Sequence, residues 1–185
     1  MPFLDDSNKP NALHLCMLMF RNLPIVFITL LSACSGTKIE PVAYNDSLVT
    51  QQIKIVEKAN ELQDAFAGYV RAEMDIRQKD FQSQLERSDA VVKRLGSYGD
   101  DKRLLKATEN FIAGYRKLND TEYKEAIRIL SEPDSLYSEV DEAKISLIFK
   151  TIDDRITKLG DEFLEAQKLF AKEHQLVINP QAQAE

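Results

Sequence analysis

The chain has 185 residues, 44% hydrophobic and 29% charged, a balance that suits one globular domain plus a targeting segment and excludes a disordered chain. Six Gly and six Pro are too few for the tight turns of an all-β protein. The net charge of -6 excludes a nucleic-acid binder, which needs clustered Lys and Arg against phosphate, and argues against electrostatic adhesion to anionic lipid.

Residues Leu23 to Leu31 form a short apolar run, preceded by Arg21 and followed by Ser32, Ala33 and Cys34. A basic flank, a short apolar stretch and small residues at its end are the marks of a secretory signal. The run is too short to span a bilayer, which takes about 20 apolar residues as a helix. Leu31-Ser32-Ala33-Cys34 resembles the lipobox of bacterial lipoproteins. The resemblance implies a diacylglycerol on the Cys34 thiol and cleavage before that residue, with Leu31, Ser32 and Ala33 read by the signal peptidase. Residues 1–33 are then a signal peptide. Asp5 and Asp6 do not suit membrane entry, so initiation is expected at Met17 or Met19, which also removes Cys16. Loss of residues 1–33 takes away two acidic and two basic side chains and leaves 28 acidic and 22 basic, still -6.

Residues 34–44, with Gly36 and Pro41, read as a lipid-attached tether. In lipoproteins of some bacteria an Asp after the cysteine favours the inner membrane. Ser35 therefore implies the outer membrane rather than the inner. With no acidic run after Cys34, a periplasm-facing position is expected rather than surface display.

From residue 45 to residue 178 the apolar spacing is helical. Asn45, Asp46 and Ser47 are able N-caps, and Leu48, Val49, Ile53, Val56, Leu62, Phe66 and Tyr69 follow on one broad face. The first helix is expected to end near residue 70. A second passes through Met74, Phe81, Leu85, Val92 and Leu95 to the turn Gly96-Ser97-Tyr98-Gly99. Asp100 and Asp101 suit a helix N-terminus, and a third helix carries Leu104, Leu105, Thr108, Phe111, Ile112, Tyr115 and Leu118. Asn119 to Glu122 resembles a capping box and predicts a bend or short break before Tyr123, Ile127 and Leu130. Pro133 marks a loop. The last helix has a near-heptad seam, Ile145, Ile148, Ile152, Ile156, Leu159, Phe163, Ala166 and Phe170, with Gly160 expected to allow close packing. Residues 179–185 read as a frayed tail. Four amphipathic helices with short connections predict an all-α, antiparallel up-down four-helix bundle.

Little in this bundle carries chemistry. After the signal only His174 and Cys34 stand for their residue types, so thiol catalysis in the helices, a Glu-x-x-His di-iron set and a Cys-x-x-Cys-His haem site are all unsupported. No metal or cofactor site is expected, and no catalytic residue. The pairs Asp100/Asp101, Asp153/Asp154 and Asp161/Glu162 point to different sides of a helix and read as solvated or capping groups. Tyr44, Tyr69, Tyr98, Tyr115, Tyr123 and Tyr137 could line a sugar or aromatic ligand groove but read first as caps on a core with wet hydroxyls, and His174 reads as a solvated or capping residue near a helix C-terminus.

Several phrases, Tyr44-Asn45-Asp46, Lys54-Ile55-Val56, Phe111 to Tyr115, Glu122 to Ile127 and Phe163 to Ala171, together resemble a group of small helical bacterial surface or envelope lipoproteins. The resemblance covers most of residues 44–175 and implies a fold rather than a reaction. The expected function is a non-enzymatic, membrane-anchored envelope lipoprotein that binds a protein or envelope polymer and leaves one helix face apolar and exposed. The runner-up is a small-ligand or lipid-binding module with a cavity in the bundle, and a carboxylate hydrolase comes last. Homo-oligomer formation through the last seam is left open.

Overall fold

Pro41 opens the first helix. A proline at this position gives up an N–H that has no partner in the first turn anyway, and its fixed φ already suits the helix. The computed structural model describes residues 39–133 and 135–177, so the expected signal segment, the lipobox at 31–34 and the tail at 179–185 lie outside the described residues. The chain divides into two units, Met1–Thr37 and Lys38–Glu185, and every described element belongs to the second.

The described residues are all-α. Helix α1 is Pro41–Phe66, α2 is Arg71–Leu95, α3 is Arg103–Leu118, α4 is Lys124–Leu130 and α5 is Glu139–Glu173. A π turn, Asn119–Tyr123, joins α3 to α4 without a break, so five helices make four rods. No helix of the described residues is long and apolar enough to cross a membrane.

Several local expectations are corrected. The expected tether reaches residue 44, but Pro41 to Tyr44 are helical, and Tyr44 is 1% exposed. Ser47 is not a cap; its hydroxyl donates to the Ala43 carbonyl at 2.7 Å within the helix. The inner face of α1 runs through Leu48, Gln51, Ile55, Ala59, Leu62 and Phe66, whereas Ile53 is exposed. The expected break at residues 119–122 is absent, because the backbone there keeps helical dihedrals and widens instead. The buried apolar positions step by five from Leu118 to Tyr123, the reach of a π hydrogen bond, and the buried Asn119 lies between them. The capping box lies at the head of α5. There Ser138 Oγ accepts from Asp141 N at 3.3 Å, and Asp141 Oδ2 accepts from Ser138 N at 3.1 Å.

The core is one apolar cluster drawn from all four rods. Its middle carries polar groups as well. Ser88 Oγ donates to Gln51 Oε1 at 3.2 Å and accepts from Gln84 Nε2 at 2.9 Å, which ties α1 to α2. Asn119 Nδ2 donates to Gln82 Oε1 at 2.9 Å, and Gln78 Nε2 donates to the Asn119 carbonyl at 3.3 Å, so α2 supplies partners to the π turn. The seam of α5 buries Ile145, Ile152, Phe163 and Phe170, with Ile148, Ile156, Leu159 and Ala166 partly buried against them.

The close approach expected at Gly160 occurs elsewhere. A Cβ on Gly160 meets nothing within 4 Å, but one on Gly114 falls 2.5 Å from Leu159 Cδ1. Glycine therefore lets α3 lie against α5. Gly160→Ala is expected to raise stability by about 0.5–1 kcal/mol through helix propensity alone. Gly114→Ala is expected to gain nothing or lose stability, since Leu159 must turn out of its place. Denaturant melts of the two variants check this, and an equal gain in both overturns the close approach.

Candidate functional site

Two ends of the helical unit differ. At one, the Tyr44 hydroxyl donates to the Gly96 carbonyl at 2.8 Å, and the Tyr44 ring lies 5.3 Å from Tyr98 and 5.4 Å from Phe170. Gly96 takes φ +67°, a left-handed conformation that a side chain resists, and so ends α2 under that ring. Burial, more than the nearby Asp101 charge, pushes the Tyr44 hydroxyl up to about 12. His174 closes the same end, its ring 4.8 Å from Tyr98 and its Nε2 3.6 Å from Asp101 Oδ2. Asp101 also accepts from the backbone N–H of Arg103 at 3.0 Å and from its guanidinium at 2.8 and 3.0 Å, and Arg103 reaches on to Glu173. The Arg103 hydrogen bonds hold the Asp101 carboxyl below its ordinary range. Rings and ion pairs cover the core at this end, and the recess beside Asp101, Arg103 and Glu173 is smaller, about 370 Å³.

The other end is open. The last turn of α1, the end of α4 and the first turns of α5 enclose a groove of about 1000 Å³. Its floor is aromatic: the Phe66 and Phe149 rings stack at 5.7 Å with an angle of 25°. Behind them the buried Tyr123 hydroxyl accepts from Gln63 Nε2 at 2.8 Å, and burial pushes that hydroxyl up to about 12 against the lowering effect of the Gln63 bond. Tyr69 and Tyr137 stand at the mouth, with Leu130, Ile145 and Ile152 along the walls. Burial first, and then the neighbouring Glu142 charge, raises the Tyr137 hydroxyl.

Tyr69 is held in an unusual way. It takes φ +53°, in the left-handed region, yet it is 65% exposed. Such a conformation costs a non-glycine residue on the order of 1 kcal/mol, and the fold gains little from a ring left in water. Gln175, just past α5, takes the same region at φ +56°, a reversal of the chain after a helix, and at Tyr69 that reversal leaves the ring beside the groove.

The groove charges are negative. Glu132, Glu142 and Asp153 line it, with no Lys or Arg among the lining residues. Arg128 pairs with Glu132, but no cation lies within ion-pair distance of Glu142 or Asp153 among the described residues. Asp154 turns away to Lys150, so of this acidic pair only Asp153 serves the groove. Beside the groove Glu125 accepts from Arg128 at 2.9 and 3.0 Å and from Lys144, which fastens α4 to α5. Those two cations, Arg128 first, pull the Glu125 carboxyl down to about 2.

Sequence reasoning offered Tyr69 and Tyr137 as groove residues and Asp153 as part of an acidic pair, each below a blander reading, and did not bring the lining together. Its residues come from 63 to 69, 130 to 137 and 142 to 153, joined only by the packing of the rods. Pro133 marks the connection that must turn back. The tyrosines also correct their expectation, because Tyr44, Tyr115 and Tyr123 are core residues rather than wet caps. His174 does end α5, yet it is an aromatic partner of Phe170 and Tyr98 rather than a solvated group. Among the described residues no three His, Cys, Asp or Glu side chains converge as metal ligands. The exposed large apolar residues do not share one helix face. Ile53, Ile76, Leu147 and Leu169 are scattered over three helices, while Tyr69, Val70, Leu136, Tyr137 and Val140 fall in and beside the two connections at the groove.

No protein family, curated protein or solved structure matches the chain.

The pH dependence of the α4–α5 fastening follows from Glu125. Its folded pKa lies below the ordinary 4.5, so its contribution is present above that value and lost as pH falls from about 4.5 to about 2. The side chain is one-third exposed, which keeps the effect small. In thermal melts the Glu125→Gln chain is expected to lose less stability than the parent across that window. Parallel curves for the two chains would deny the fastening any role.

Proposed function

We propose that this chain is a bacterial envelope lipoprotein, cut before Cys34 and held to a membrane by lipid on that cysteine. Its four rods act as an antiparallel up-down bundle and a non-enzymatic binding module for a protein or polymer of the envelope. The outer membrane, facing the periplasm, is the proposed location. Cys34 is the lipidation site, and Leu31, Ser32 and Ala33 are the peptidase recognition residues.

The observation that carries the binding role is the open groove with Tyr69 strained at its mouth. An apolar floor exposed at a strained connection does not help the domain fold, but it suits a partner. Its place supports the tethered reading too. The chain enters α1 at Pro41, and the groove begins at the far end of the same 26-residue helix, about 39 Å away at 1.5 Å per residue.

The groove is also what disfavours a ligand cavity inside the bundle. Phe111, Tyr115 and Phe163 fill the middle of the core, with Phe111 4.7 Å from Tyr115 and 5.8 Å from Phe163. The groove of about 1000 Å³ lies at the end and is open to solvent.

Incorporation of a photo-reactive phenylalanine at position 69 or 137 in cells, followed by illumination and mass spectrometry, tests the reading. One recurrent adduct is expected from these positions and not from position 106 at the closed end, and it is expected to disappear in Cys34→Ala. Labelling with an alkyne fatty acid is expected to follow Cys34 in the same way. Adducts that ignore the groove, or labelling that survives Cys34→Ala, overturn the corresponding half of the proposal.

A further inference from the structure

The groove offers more than an apolar surface, because its charge selects what can lie there. Glu142 and Asp153 are exposed carboxylates on α5, eleven residues apart and therefore about three turns along one helix. Neither has a cationic partner among the described residues, although eleven Lys and Arg side chains elsewhere on the helices form ion pairs. Between them the Phe66–Phe149 stack and the Ile145 and Ile152 side chains give an apolar strip. Tyr69 and Tyr137 add ring faces at the mouth, where an ammonium or guanidinium is attracted.

We infer that the groove binds a basic amphipathic segment of a partner protein. Its apolar side chains lie over Phe66 and Phe149, and its Lys or Arg heads meet Glu142 and Asp153. This rests on the binding role proposed above and names the partner's chemistry. Size favours a segment over a lone small cation, since about 1000 Å³ holds several side chains. Charge disfavours the other occupants. Phosphate headgroups meet three carboxylates and no lining cation, and a second copy of the chain brings a net charge of -6 to an acidic site.

The test uses the purified full-length chain and a short fluorescein-labelled amphipathic peptide of Leu and Lys. A second peptide carries Glu at every Lys position. In fluorescence anisotropy the Lys peptide is expected to bind, to weaken as salt rises from about 50 to about 300 mM, and to lose about tenfold in affinity with Glu142→Gln/Asp153→Asn. Both substituted residues are exposed, and unchanged circular dichroism melts show that the variant is folded. Asp161→Asn/Glu162→Gln, two exposed carboxylates away from the groove, is expected to leave affinity unchanged. Tyr69→Gly is expected to weaken binding without lowering the melting temperature.

Equal losses from both acidic double variants mean adhesion to a negative protein and overturn the inference. So does equal binding of the Lys and Glu peptides, or self-association of the chain that excludes the peptide. If cross-links at positions 69 and 137 persist while the Lys peptide is ignored, the basic-segment inference fails and the binding role stands. If those cross-links are also missing, both fail.

Discussion

A single hydroxyl fixes how the first two helices meet. Ser88 is fully buried and exchanges hydrogen bonds with Gln51 on α1 and Gln84 on its own helix, in the middle of an apolar interface. Sliding α1 past α2 by one turn breaks the bond between the helices and takes the Ser88 hydroxyl hydrogen and Gln51 Oε1 from each other in a dry core, at about 1–3 kcal/mol for each unsatisfied group. Apolar packing alone tolerates many registers, but this chain of amides tolerates one. Everything at the ends follows from it. It sets where Phe66 stops, where Tyr69 turns back, and where Tyr44 meets the Gly96 carbonyl.

The two ends then take opposite roles. At the Tyr44 end, aromatic rings and the Asp101–Arg103–Glu173 ion pairs close the core against water. At the Phe66 end, the same kinds of group are arranged without closure. The rings form a floor, Glu142 and Asp153 have no cation at ion-pair distance among the described residues, and Tyr69 is left exposed. The Glu125 links to Arg128 and Lys144 hold α4 against α5, so the groove walls are fixed by charge rather than by a covering segment. A domain that spends its cations on one side of a site and leaves the other side bare sets up a field for a positive visitor.

Much of the fold was legible because apolar spacing reports the inner face of a helix directly. The α5 seam from Ile145 to Phe170 and the α3 face from Leu104 to Leu118 were read almost as they stand. The misreadings share a cause: polar or turn-forming residues placed inside, where a hydrophobic pattern skips them. Gln51 sits on the inner face of α1, so the pattern slipped to Ile53 and lost Ile55. Asn119 looked like a cap and is a buried π-turn residue whose amide bonds to Gln82. Pro41 looked like tether and starts a helix. The groove itself was hidden for a different reason. Its residues lie up to ninety positions apart, and no local pattern encodes an empty space between helix ends.

The π turn carries a consequence for how this rod can change. An α-helix advances about 100° per residue, so a step of five from Leu118 would carry Tyr123 about 140° off the inward line. The wider turn absorbs the surplus residue and restores the angular phase for α4. The segment therefore works as a phase adjuster. Deleting one residue there would remove the surplus and leave a plain α-helix, with Ile127 and Leu130 still in phase toward the core. The turn is thus a place where the rod can gain or lose a residue while the wall that α4 gives the groove keeps its orientation.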